Sequence, residues 1–219
     1  MKLFDCPSCG AQIKFVAADS IYATCSYCSS TVVRTDIDVE LIGKVSAVLD
    51  DMTPFQIGTV GSYHGDSFEI IGRTRLAWSD GAWNEWNIIF DDGNKAWLAE
   101  AQGTYAICYE IKDIEISENS FYSNYDTKSS GLKLGAFIQM ANDHFKVVDI
   151  KEAKYVGFEG ELPAKININE ENLVIDMVGH NNDFASIEII NNVVRAFVGN
   201  YVKWSDLRCS NFRQIEGWQ

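Results

Sequence analysis

Four cysteines carry the most explicit chemistry in the chain. Cys6, Cys9, Cys25 and Cys28 form two C-x2-C pairs separated by fifteen residues. Two residues between thiols let one tight turn present both sulfurs to the same ion. Two such turns supply the tetrahedral thiolate set that zinc prefers. Gly10 follows the first pair, where a knuckle turn favours positive φ, and Ser29 holds the matching place after the second. A redox C-x-x-C pair would need a βαβ context that the flanking sequence lacks. The prediction is a zinc ribbon over residues 1–34 with one structural zinc per chain. About 30 residues bury too little surface to fold alone, so the metal would supply folding energy.

A second group lies in WSDGAWNEWNIIFDDGNKAWLAE, residues 78–100, which holds four of the six tryptophans. Read as strands, alternation places Trp86, Ile88 and Phe90 on one face and Trp83, Glu85 and Asn87 on the other. Asp92–Gly93 reads as a hairpin turn. Trp86, Phe90 and Trp97 are expected in the core. Trp78, Trp83, Glu85 and Glu100 remain as candidate binding residues. Two carboxylates beside tryptophan rings could serve as acid and base, as in glycosidases, or hold a cation against an aromatic face. The three histidines, His64, His144 and His180, fall at hairpin tips or in a turn and are read as idle. Cys108 and Cys209 sit in strand-like sequence and are read as core. There is no Ser-His-Asp order and no phosphate-binding glycine loop before a helix, so the chain is read as non-enzymatic.

The elements that must position these groups are mostly strands. After the ribbon, residues 35–53 show Leu41, Val45, Val48 and Leu49 at helical spacing, with Thr35 and Asp38 as a capping box and Pro54 as a stop; a linking helix is predicted. From residue 54 onward, short apolar strands alternate with turns rich in Gly, Asn and Asp, which favours small antiparallel barrels or sandwiches. Residues 57–72 align with 134–149, matching Gly58 with Gly135 and Phe68 with Phe145. Residues 89–100 align with 189–200, matching Lys95 with Arg195 and Trp97 with Phe197. This comparison predicts a mainly β protein with two related modules, 54–116 and 132–219, joined by a polar linker at 117–131. The second module would carry an insertion at about 157–179.

The same stretches resemble the bacterial domain family of unknown function DUF4178. The marks are Gly58, the Phe68–Gly72 strand, Trp83–Glu85–Trp86 and Trp97–Leu98–Glu100, with Gly160–Pro163 and Phe184–Ile187 in the second half. The resemblance implies an N-terminal four-cysteine ribbon and a place in bacterial stress or envelope-associated systems. It implies no mechanism.

Net charge bounds the partners. At −13 for 219 residues, the chain is a poor match for nucleic acid or anionic lipid. The ribbon carries a net +1 and the remainder −14. No apolar run is long enough to span a membrane. The start has no apolar h-region, which predicts no secretory signal, and thiolate ligands fit a reducing, cytoplasmic compartment. The expected role is a binding or scaffold protein acting on another protein or peptide, and the linking helix would allow a homo-oligomer. Two alternatives stand beside it. One is a small-molecule or polyamine-type cation sensor; the other is a hydrolase built on Glu85 and Glu100.

Overall fold

The computed structural model describes residues 1–35, 38–44, 51–111 and 133–215. Strands β1 (Lys2–Asp5) and β2 (Gln12–Phe15) form a two-stranded sheet. Every other strand belongs to one thirteen-stranded sheet. Strands β3 (Tyr22–Thr24), β4 (Ser30–Arg34) and β5 (Val39–Lys44) make one end of it.

The linking helix predicted over 35–53 is not what the described part of that segment forms. Val39–Lys44 is β5, paired antiparallel with β4. Thr35 and Asp38 close the turn between the two strands: the Asp38 amide donates to Thr35 Oγ1 at 3.2 Å, and the Thr35 amide to the Asp38 carbonyl at 2.8 Å. The edge of β4 offers unpaired backbone groups, and ladder pairing there overrides a weak helical stripe. Val45, Val48 and Leu49 lie outside the described residues.

Two runs of five strands follow. The first is β6 (Val60–Tyr63), β7 (Asp66–Trp78), β8 (Gly81–Phe90), β9 (Lys95–Ala101) and β10 (Thr104–Ile111). The second is β11 (Phe137–Met140), β12 (Asp143–Leu162), β13 (Glu171–Val178), β14 (Asp183–Ile190) and β15 (Val193–Val202). Each is an antiparallel meander. Its tight hairpins use two-residue turns with both residues at positive φ, such as Ala141–Asn142 and Asn191–Asn192, a geometry that matches strand twist. The polar linker expected at 117–131 lies outside the described residues. A short helix, α1 (Trp204–Leu207), follows β15.

The two expected modules share one sheet. β10 pairs with β15, and β7 pairs with β12. The pairings β7–β8–β9–β10–β15–β14–β13–β12–β7 therefore return to the strand they started from. β12 makes this closure with its length. It pairs with β13 over Lys146–Lys154, with β7 over Lys154–Gly160 and with β3 at Glu161 and Leu162, bending at register shifts after Val147 and Tyr155. Gly72 permits the contact, because a Cβ there would lie 1.8 Å from the Glu161 carbonyl oxygen. The residues read as an insertion, 157–179, supply the end of β12 and all of β13.

One face of each run packs its own core. Trp86, Ile88, Leu98 and Ile107 meet Phe55, Phe68 and Leu207 in the first. Ile175, Met177, Ala185 and Ile187 meet Phe145 and Val147 in the second. Residues from the opposite faces of both runs line one cavity of about 380 Å³.

Among the described residues, no helix is long and apolar enough to cross a membrane.

Candidate functional site

The four cysteines converge. Cys6 and Cys9 flank one turn and Cys25 and Cys28 another, and the two turns are built alike. The Gly10 amide donates to the Cys6 carbonyl at 2.8 Å, and the Ser29 amide to the Cys25 carbonyl at 2.9 Å. Gly10 sits at φ +75° and Ser29 at +56°, so the serine adopts the conformation the glycine adopts freely. The four sulfurs lie within 4.8 Å of one another, with Cys6–Cys28 at 3.7 Å and Cys9–Cys25 at 3.8 Å. Thiolates about 2.3 Å from a tetrahedral ion would stand about 3.8 Å apart, so this donor set fits a metal ion. Hydrogen bonding by the Ser30 hydroxyl, then by its amide, holds the Cys28 thiol down at about 6.

The tryptophan-rich stretch builds the second site. Alternation along β8 holds as expected: Trp86 is fully buried and Phe90 nearly so on one face, while Trp83 and Glu85 line the cavity on the other. Trp78 joins them from the end of β7, its ring 5.5 Å from that of Trp83. Gly81 leaves room for this packing, since a Cβ there would meet the Trp78 ring at 2.7 Å. Trp97 lines the cavity rather than the core around Trp86, and Phe197 lines it too. Their sequence match does not follow strand order, however. Counted within each run, β9 stands opposite β14 and β10 opposite β15.

Glu100 is not part of this cavity. It pairs across the ladder with Asn84, next to Glu85 and so on the opposite face of β8. There it is buried, 2.7 Å from the Thr53 hydroxyl, and accepts from Asn84 Nδ2 at 3.1 Å and Trp86 Nε1 at 3.0 Å. Glu85 and Glu100 therefore do not converge on a common point. The acid–base pair that a hydrolase would need is not formed by these two residues.

The charged groups that do converge come mostly from the second run. Asp149 and Lys151 on β12, Asp176 on β13, Glu188 on β14 and Arg195 on β15 line the same cavity as Glu85. None of the five was among the residues expected to bind from the sequence, where Arg195 figures only as the match of Lys95. Their signal was a lone charge inside an otherwise apolar strand, as in NLVIDMV, FASIEII and VVRAFV.

Positive charge is short among these groups. Arg195 donates to both oxygens of Glu110 at 3.0 Å and reaches Glu188 only at 3.5 Å. Burial opposes its charge, but Glu110 and Glu188 outweigh that and hold the guanidinium more firmly protonated than usual. Among the described residues Glu85 receives neutral donors, Trp83 Nε1 at 2.9 Å and Thr74 Oγ1 at 3.1 Å. Burial raises its pKa above the ordinary carboxylate value despite those bonds. Burial and then the charge of Glu85 push Glu188 well above that value. Asp176 stands directly across the ladder from Asp149, and two like charges in that position repel. Burial raises Asp176, and the Ser186 hydroxyl at 2.9 Å offsets only part of this. Lys151 pairs with Asp149 and lies 5.0 Å over the Trp78 ring. Burial and the charge of Glu85 keep the Cys108 thiol protonated, so it is not a nucleophile here.

All three histidines are exposed, outside the cavity. The arrangement can bind: aromatic walls surround four carboxylates, Glu85, Asp149, Asp176 and Glu188, with two cations, Lys151 and Arg195. Hydroxyls do stand beside carboxylates here, Ser186 Oγ 2.9 Å from Asp176 and Thr74 Oγ1 3.1 Å from Glu85. Among the described residues, however, no histidine lines the cavity to serve them as a base.

The family model described as Domain of unknown function (DUF4178) matches residues 56–203, more than half of the chain, including every charged residue of the cavity. No curated protein and no solved structure matches the chain.

Proposed function

Because the chain belongs to the DUF4178 family, whose description names no activity, we propose its function from the cavity: it is a binding protein for a small organic cation. The observation that carries this reading is Glu85. A carboxylate in a cavity lined by Trp78, Trp83 and Trp97, with neutral hydrogen-bond donors among the described residues, stands where desolvation is costly unless a cation joins it. Tryptophan faces add cation–π attraction of about 0.5–2 kcal/mol to such a guest. The cavity size, about 380 Å³, falls in the range of ligand pockets, about 300–1,000 Å³. The test is a thermal-shift series of alkylammonium and guanidinium compounds against neutral alcohols of the same shape. Cations should raise the melting temperature of the wild-type protein and lose that effect on Glu85→Gln. An equal response to the neutral compounds would refute the reading.

The four cysteines complete this picture as a zinc ribbon with a structural role. An all-sulfur tetrahedral set suits zinc, with iron the main competitor. Thiolate ligation is favoured in a reducing compartment, which supports a cytoplasmic location. We also infer that the two five-stranded runs are a tandem repeat closed into a barrel. Gly58 and Gly135 support this: each amide donates at 2.8 Å to the carbonyl of a matched residue, Ile70 or Val147.

A second reading, a protein-binding scaffold, rests on Trp204 and Phe212. Their rings stack at 5.3 Å while 40% and 37% exposed, and exposed aromatics favour protein contacts. A partner captured by the wild-type protein and lost on Trp204→Ser would support it.

A further inference from the structure

Resting on the organic-cation reading above, the structure points to the charge of the guest and the places where it sits. We propose that the cavity takes a linear dication, a short alkyl chain with an ammonium at each end, and that Lys151 holds the outer place until the guest arrives.

The argument is a count of charge at two places. Deep in the cavity, Glu85 and Glu188 share one cation, Arg195, which is itself engaged by both oxygens of Glu110. At the rim, Asp149 and Asp176 share one cation, Lys151. At each place two cavity carboxylates stand against one cavity cation, so each is short of positive charge. The two places lie at different levels. Asp149, Asp176 and Ser186 are successive cross-strand partners, and Glu188 stands two residues beyond Ser186 along β14, a rise of about 7 Å. Five or six bonds of an extended alkyl chain cover that span.

Lys151 supplies an independent observation. Its ammonium lies against Trp78 and beside Asp149, so a cation already occupies the aromatic seat at the rim. It is tethered to β12 and partly exposed, and can swing out when a guest ammonium takes its place. Glu188 supplies another. It is only 4% exposed, and among the described residues its hydrogen-bond partner, Arg195 Nη1, stands at the 3.5 Å limit of a hydrogen bond. Trp83, Trp97 and Phe197 also line the cavity, apolar surface that suits the methylene part of the chain.

The experiment is calorimetric titration of the metal-loaded full chain with diamines of three to six carbons, with butylamine as the single-charge control and calcium as the inorganic one. Diamines of the best length should bind at least about tenfold tighter than butylamine. Asp176→Asn should remove that advantage while leaving butylamine binding in place. Lys151→Met should tighten the best diamine by about threefold or more. Thermal melts establish that both variants are folded. Equal binding of diamine and butylamine would overturn the dication while leaving the single-cation reading intact. Binding of calcium in competition with the diamine would also overturn it. Absence of binding by every amine, to the wild-type protein and to Lys151→Met, would sink both.

Discussion

The Glu161 carboxylate accepts the backbone amide of Ala17 at 3.1 Å, across 144 residues of sequence, and takes the Val16 amide at 2.5 Å with its other oxygen. Both amides lie between the two cysteine turns. Beside them β12 pairs with β3, so one buried side chain and one short ladder help fasten the cysteine unit to the large sheet. Hydrogen bonds to a charged group contribute about 1.5–3 kcal/mol each. Glu161→Ala should therefore destabilise the docking of residues 1–35 by roughly 3 kcal/mol or more and expose them to limited proteolysis. Glu161→Gln, which keeps one acceptor, should be milder. A variant as protease-resistant as the wild-type protein would show that the β3–β12 ladder suffices.

How much of this was legible in the sequence depends on the range of the contact. The cysteine turns were legible because each is a local device of a few residues, repeated with the same spacing. The two faces of β8 were legible because alternation is enforced by the strand backbone. The joining of the two runs was not. Pairing of β7 with β12 depends on bulges in β12 and on the bare backbone at Gly72, which leave no periodic trace. That closure decides which residues share the cavity, so Asp176, Glu188 and Arg195 were not among the expected binding residues while Glu100, on the other face, was grouped with Glu85. Leu41 and Ile42 misled in another way. They are half-exposed on β5, and an apolar pair at an edge reads equally as a helical stripe.

Metal content gives a direct check on the four thiols. Elemental analysis of the purified chain should find close to one zinc per chain. Cys9→Ser should lower that content and loosen residues 1–35 in hydrogen exchange, with the sheet from β6 to β15 still protected, because the cores of the two runs contain no residue of the cysteine unit. A fully protected N-terminal unit without bound metal would refute a structural metal.

Two tryptophans three residues apart should respond differently to removal. Trp86 is completely buried, donates to Glu100 and lies under the Arg73 guanidinium at 4.7 Å. Trp86→Ala should cost about 3–5 kcal/mol in urea unfolding. Trp83 is only partly buried beside a cavity, so Trp83→Ala should cost about 1 kcal/mol or less. Its loss should still weaken cation binding, because the Glu85 carboxylate loses its indole donor. If both variants melt alike, Trp83 is packed as core and the cavity is not a free site.

The cavity carboxylates make the empty protein sensitive to pH in a direction opposite to ordinary acid denaturation. Burial raises Glu85, Asp176 and Glu188 above their usual values of 4.5, 3.8 and 4.5. A carboxyl raised on folding is protonated more readily in the native chain than in the unfolded one. Its favourable contribution is complete below the unfolded value and is lost as pH rises through the folded one. The melting temperature should therefore climb as pH is lowered from 8 toward 5, until other carboxylates dominate. Asp19 is one of these: despite some burial, Lys95 lowers it, so its contribution runs the other way. Glu85→Gln should flatten the climb, since an amide carries no proton to exchange. A bound organic cation should flatten it too, by favouring the ionised carboxylates, and its binding should release protons that calorimetry in two buffers of different ionisation enthalpy detects. A melting temperature that rises steadily from pH 5 to 8, unchanged by Glu85→Gln, would mean that these groups are ionised and satisfied without a guest.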